Sequence, residues 1–186
     1  MDVGEREFLV AELVGSEDRL LRAVDGLSVA QWNFREGPER WSIAEIVEHL
    51  VVFEEFIRGA VQRVLAEVGE PEKRASVAAK ESLVLGLAES RGTRFVAREA
   101  ARPMGRWADA AELVGELKKA RARTLAFVAE ERGDLREHFF AHIVFGDLDC
   151  YQWLVVLARH MDRHLRQVEE VMGDPRFLVD GEKARG

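Results

Sequence analysis

The chain has 186 residues, with 27 Lys and Arg against 34 Asp and Glu for a net charge of −7, one cysteine and five histidines. That length suits a single domain, 1–186, large enough to fold without a disulfide or metal, and the lone Cys150 excludes a disulfide framework or a Cys-rich zinc ribbon. The acidic total lacks a nucleic-acid footprint, no apolar run reaches the roughly 20 residues of a membrane span, and the acidic start does not read as a secretory signal. The expectation is a cytoplasmic protein with neither nucleic acid nor membrane as partner.

Helical spacings of three and four dominate the chain, and strand signals are scarce. The first predicted helix runs from about Asp2 to Leu27, with Leu9, Leu13, Leu20, Val24 and Leu27 on one side. Gly15 costs about 1 kcal/mol against Ala there and allows a bend. A loop from Ser28 to Trp41 follows, punctuated by Gly37 and Pro38.

Ser42 and Glu45 form a capping box that opens the second helix. Ile43, Ile46, Leu50, Phe53, Ile57, Ala60 and Val64 make its stripe, and Gly69 and Pro71 stop it near Val68. Residues 72–107 carry eight Lys or Arg against four Glu, a local surplus of +4. They read as a long crossover with a short helix around Ala78 to Glu89.

The third long helix opens near Asp109 and Glu112, with Leu113, Leu117, Ala120, Thr124 and Phe127 inward. A loop from Asp134 to Leu148 then carries His138, read as solvated, and His142. The fourth helix runs from Asp149 to Gly173 with the stripe Cys150, Leu154, Leu157, Met161, His164, Val168 and Val171. The predicted fold is all-α, an up-and-down four-helix bundle with a long crossover between helices 2 and 3.

His160 and His164 lie four residues apart on one helix face, with Cβ atoms roughly 5–6 Å apart, close enough to share a cation. The glutamate that follows the first His in zinc proteases is Met161 here, so the pair does not point to protease chemistry. His49 flanks the seam of the second helix and can be brought toward the pair by packing. Three imidazoles plus a water make a catalytic zinc sphere, and imidazole also suits nickel, copper and iron. Hydrogen-bonded core histidines are the competing reading.

Two segments carry a family resemblance. Trp41-Ser-Ile-Ala-Glu-Ile-Val-Glu-His49-Leu resembles the second-helix signature of DinB-like (YfiT-like) four-helix proteins. Asp147-Leu-Asp-Cys-Tyr-Gln-Trp153 with Arg159-His160-Met-Asp-Arg-His164-Leu-Arg-Gln167 is similar to their last-helix signature, so the resemblance spans about Phe8 to Met172. It implies a metal triad of His49, His160 and His164. It also implies one divalent ion, with zinc or nickel ahead of manganese or iron. The His-Pro-x-x-Gly loop of relatives reads His142-Ile-Val-Phe-Gly146 here, so His142 is either a surface or loop-packing residue or, brought near the site, a hydrogen-bond donor to a ligand or an acid/base group.

Gln167, one turn beyond His164, either hydrogen-bonds a ligand imidazole or simply faces solvent. Glu45 and Glu48 read as cap and exposed face, Phe53 and Trp153 as core, and Cys150 as a packing thiol. The resemblance implies a metal-dependent transferase that activates a low-molecular-weight thiol for a small-molecule substrate, in a homodimer. A metal-dependent hydrolase is the alternative, and a non-catalytic stress-related binding protein or a purely structural bundle are the others. The basic stretch from Arg91 to Arg106 reads as ordinary solvated charge or, alternatively, as a wall for an anionic thiol.

Overall fold

The computed structural model describes residues 1–89 and 102–177. Four long helices form the bundle: α1 (Val3–Val24), α3 (Ile43–Leu65), α6 (Ala110–Glu130) and α7 (Cys150–Gly173). Short helices α2 (Val29–Asn33), α4 (Arg74–Ala78) and α5 (Glu81–Leu85) decorate the connections, and a hairpin of β1 (Phe139–His142) and β2 (Gly146–Asp149) precedes α7. No helix among the described residues is long and apolar enough to cross a membrane.

Capping fixes the phase of each long helix. Asp2 with Glu5, Ser42 with Glu45 and Asp149 with Gln152 form reciprocal capping boxes, each satisfying backbone N–H groups that a helix start leaves orphaned. Asp109 accepts from the Glu112 N–H at 2.8 Å, while the Glu112 carboxylate reaches Ala108 N instead of closing the box. Helix α1 runs through Gly15 as one continuous helix. Helix α3 ends at Leu65, a few residues short of the expected stop.

Helix α1 packs on α7 and α6, and α3 packs on the same two, so α1 and α3 lie across a diagonal. Side-chain pairs fix the directions. Arg159 meets Glu12 at 2.6 Å and Arg19 meets Asp162 at 2.7 Å, so α1 and α7 run parallel. Glu54 meets Arg121 and Glu55 meets Arg123, which makes α3 and α6 parallel to one another. Arg121 Nη1 donates to Leu13 O and Arg6 to Glu131 O, so α1 and α6 are antiparallel. Two consecutive parallel helices need a return path of about 33 Å, at 1.5 Å per residue, and the crossover supplies it.

Two apolar clusters fill the interior, one around Leu9, Leu13, Ile57, Val61 and Leu154, the other around Leu20, Ile46, Leu50, Leu117, Met161 and Val168. A polar layer separates them: Ser16, Glu54, Arg121 and Thr124 are all buried. Arg121 lies 3.0 Å from Glu54, and it takes the place on the α6 stripe between Leu117 and Thr124. Val128 continues that stripe, whereas Phe127 is only partly buried.

The 134–148 segment is the largest departure from expectation, being a paired hairpin where a loop was expected. Phe139 pairs with Asp149 and His142 with Gly146, and Gly146 (φ +66°) takes the left-handed conformation at the turn. Arg136 anchors its base to Glu5, Glu81 and Asp149 and lies 3.9 Å from the centre of the Tyr151 ring. Short period-two segments such as Phe139–His142 give too few residues for alternation to stand out from loop sequence.

Candidate metal centre

Ser42 and Asp149 start α3 and α7 in registers that aim His49 and the His160–His164 pair at the same seam. His49 lies in the second turn of α3 and is 3 % exposed. The helices run antiparallel here: Trp41 stands beside His164, and Phe53, further along α3, stacks on His160 at 4.1 Å. Trp41 also lies 5.1 Å and Phe53 5.9 Å from the His49 ring, so the imidazoles are wedged between two aromatic side chains.

The three histidines offer nitrogen atoms within 4.8 Å of one another. His49 Nε2 and His160 Nε2 face each other at 3.0 Å. His164 Nδ1 meets Gln167 Oε1 at 2.9 Å. The amide oxygen can only accept, so Nδ1 carries the proton and Nε2 keeps its lone pair toward the other rings. Nitrogens bound at 2.0–2.1 Å around a tetrahedral ion stand roughly 3.3 Å apart, a spacing the His49–His160 pair already approaches. The donor set therefore fits a divalent ion.

Electrostatics point the same way. Burial, followed by the charges of neighbouring imidazoles, pushes His160 well below its ordinary value. Burial and His49 lower His164 to about 3, against the hydrogen bond it donates to Gln167, which raises it. Burial thus keeps the His160 and His164 rings neutral near pH 7, and neutral imidazole is the form that ligates metal.

His142 lies at the end of β1 and is absent from this cluster. Its Nδ1 accepts from the N–H groups of Val144 (3.1 Å) and Phe145 (3.3 Å), so the neutral ring carries its proton on Nε2. It stacks on Phe145 and lies 4.9 Å from Trp153, and when protonated it would oppose protonation of His160. His138 is not simply solvated: its ring nitrogens meet Asp134 O at 3.0 Å and Glu67 O at 3.2 Å, joining the hairpin base to the end of α3. Cys150 is buried, and burial with the adjacent Asp149 pushes its thiol up to about 12, leaving it inert in packing. Trp153 is buried, stacks on Phe140 at 4.4 Å and donates from Nε1 to Phe140 O.

Glu48 corrects the expectation of an exposed face. It is 4 % exposed and accepts from Met104 N (2.7 Å), Gly105 N (2.9 Å), Arg106 N (3.4 Å) and the Arg106 guanidinium (2.6 Å). Burial alone would raise its carboxyl, but these donors hold it below the usual range. Arg106, one cation of the basic crossover, is thus committed to an ion pair. Arg91, Arg94 and Arg98 lie outside the described residues. Trp41 was visible in the sequence only as part of a motif. Its place before the Ser42 cap was the available signal, since a residue there folds back along the first turns of the helix.

A helical bundle that converges three histidines from its second and last long helices defines a class of candidate metalloprotein. The DinB superfamily model matches residues 12–168, and the chain belongs to that superfamily. YuaE of Bacillus subtilis is 28 % identical over 146 residues, covering 78 % of this chain and 86 % of YuaE. The solved structure of YfiT from Bacillus subtilis, described as a probable metal-dependent hydrolase with an unusual four-helix bundle topology, aligns with a TM-score of 0.65. It does so at 14 % identity, over 92 % of this chain and 88 % of that one.

Proposed function

We propose that the protein is a metal-dependent hydrolase that holds one divalent ion through His49, His160 and His164. The observation that carries this reading is the convergence of three imidazole nitrogens within 4.8 Å, with Gln167 committing His164 Nδ1. Bound there, a divalent ion supplies Lewis acidity and lowers the pKa of a coordinated water or thiol. The chain's own residues do the rest. Gln167 orients one imidazole, and Trp41 and Phe53 hold the rings and exclude water from their flanks. His142, with its proton on Nε2, is a donor at the hairpin end of the same helix seam.

Hydrolysis is placed ahead of thiol transfer because the fold relative YfiT is described as a probable hydrolase. Thiol transfer would use the same ligand set, and the inert Cys150 means that its sulfur would come from a small molecule. Metal content of the purified chain beside His49→Ala and His164→Ala tests the site. Near-stoichiometric metal in the wild type and loss in both variants is expected, and undiminished metal in both would sink the proposal. A panel of esters and amides, run with and without chelator and with and without an added thiol plus electrophile, separates the two reactions.

A further inference from the structure

Glu48 immediately precedes the candidate ligand His49, yet its side chain serves a different element. Three consecutive backbone N–H groups, those of Met104, Gly105 and Arg106, converge on its carboxylate. Gly105 (φ +70°) takes the left-handed conformation that curls successive amides toward one anion. The Arg106 guanidinium closes the ring, donating from the same Nη1 to Glu48 Oε1 at 2.6 Å and to Arg102 O at 3.1 Å. Next in the chain, Trp107 packs against the apolar cluster that contains Ile46, Leu50 and Met161. The end of the crossover is therefore built onto the turn of α3 that carries His49.

A buried carboxylate with four charge-assisted donors is a stiff joint, because each lost donor leaves desolvated charge behind. Its backbone is the backbone of His49, so a change in the freedom of one is felt by the other. We propose that Glu48 is a positioning residue that joins the 104–106 loop to the His49 turn, so that filling the histidine site also orders this loop. The proposal rests on the metal reading above.

Amide hydrogen exchange on the full chain, with and without zinc chloride, tests it, with zinc affinity measured alongside by calorimetry. Without metal, Glu48→Gln should speed exchange at 104–106 by about ten-fold or more, the scale of a lost charged hydrogen bond. Zinc should slow exchange at 104–106 in the wild type. It should bind Glu48→Gln several-fold more weakly and give no added protection to that loop. Gly105→Ala, which strains the cradle from the loop side and leaves α3 intact, should reproduce this pattern even if Glu48→Gln folds poorly.

Unchanged exchange at 104–106 in both metal-free variants would overturn the joint. Zinc that binds the wild type without altering exchange there would overturn the coupling and leave the metal reading standing. A wild type that binds no zinc would overturn the metal reading and the coupling together.

Discussion

His49 Nε2 and His160 Nε2 stand 3.0 Å apart, facing each other across the α3–α7 seam. In neutral rings one of the two must carry a proton there and donate to the other. A cation shared by both needs two lone pairs, so one ring has to move its proton to Nδ1. Nitrogen-15 correlation spectra of the histidine rings should therefore show a mixed tautomer pattern in chelator-treated protein. On zinc addition, all three site rings should become Nδ1–H. A spectrum unaltered by zinc would contradict the assignment of these two nitrogens as ligands.

Gln167 holds the third ring in the required tautomer through its 2.9 Å contact with His164 Nδ1. Partners of this kind are typically worth 10–100-fold in metal affinity. Gln167→Leu should weaken zinc binding by about that range while leaving helicity unchanged. Affinity within two-fold of wild type would show that the amide merely occupies the surface beside the ring.

Acid should destabilise the metal-free protein through the same histidines. Burial and neighbouring charge depress His160, and hold His164 at about 3. Between the ordinary 6.5 and about 3, the unfolded chain binds protons that the native chain refuses. Stability therefore rises with pH across that window and falls on acidification, by up to about 1.4 kcal/mol per pH unit for each such histidine. Urea midpoints of chelator-treated wild type and His164→Leu at pH 7.5, 5.5 and 4.5 check the sign. The variant should show the shallower decline.

The Glu54–Arg121 pair makes a separate prediction about the core. Arg121 is fully buried and Glu54 is 2 % exposed, so removing either partner strands the other's charge. Arg121→Met alone should cost on the order of 3–5 kcal/mol, and the double variant with Glu54→Leu should recover much of it. A double-mutant cycle in urea gives the coupling. Additive losses would mean that the two side chains are energetically uncoupled.

The helices and the convergence of the three histidines were legible in the sequence for related reasons. Capping chemistry at Ser42 and Asp149 sets helix phase, and phase sets which face His49, His160 and His164 occupy. What was not legible depends on distant partners. Glu48 reads as a surface glutamate until Gly105 and Arg106 arrive from 57 and 58 positions away. Arg121 sits on the apolar stripe of α6, but its counter-charge comes from α3. His138 finds carbonyls at Asp134 and Glu67 that no local pattern announces. The bundle's diagonal order, with α3 parallel to α6, likewise follows from packing between helices and not from the periodicity within each.

The two sides of the candidate centre lie 111 residues apart along the chain. An ion gripping both would act as a removable cross-link, closing a loop that spans the crossover, α6 and the hairpin. Chain-entropy reasoning gives roughly 4.7 kcal/mol for tying off a loop of about 100 residues in the unfolded ensemble. Because α3 touches α7 directly, such a tether would resist separation of the bundle at the contact between its two oppositely running layers. A chelator would then act on this protein much as a reductant acts on one stapled by a disulfide.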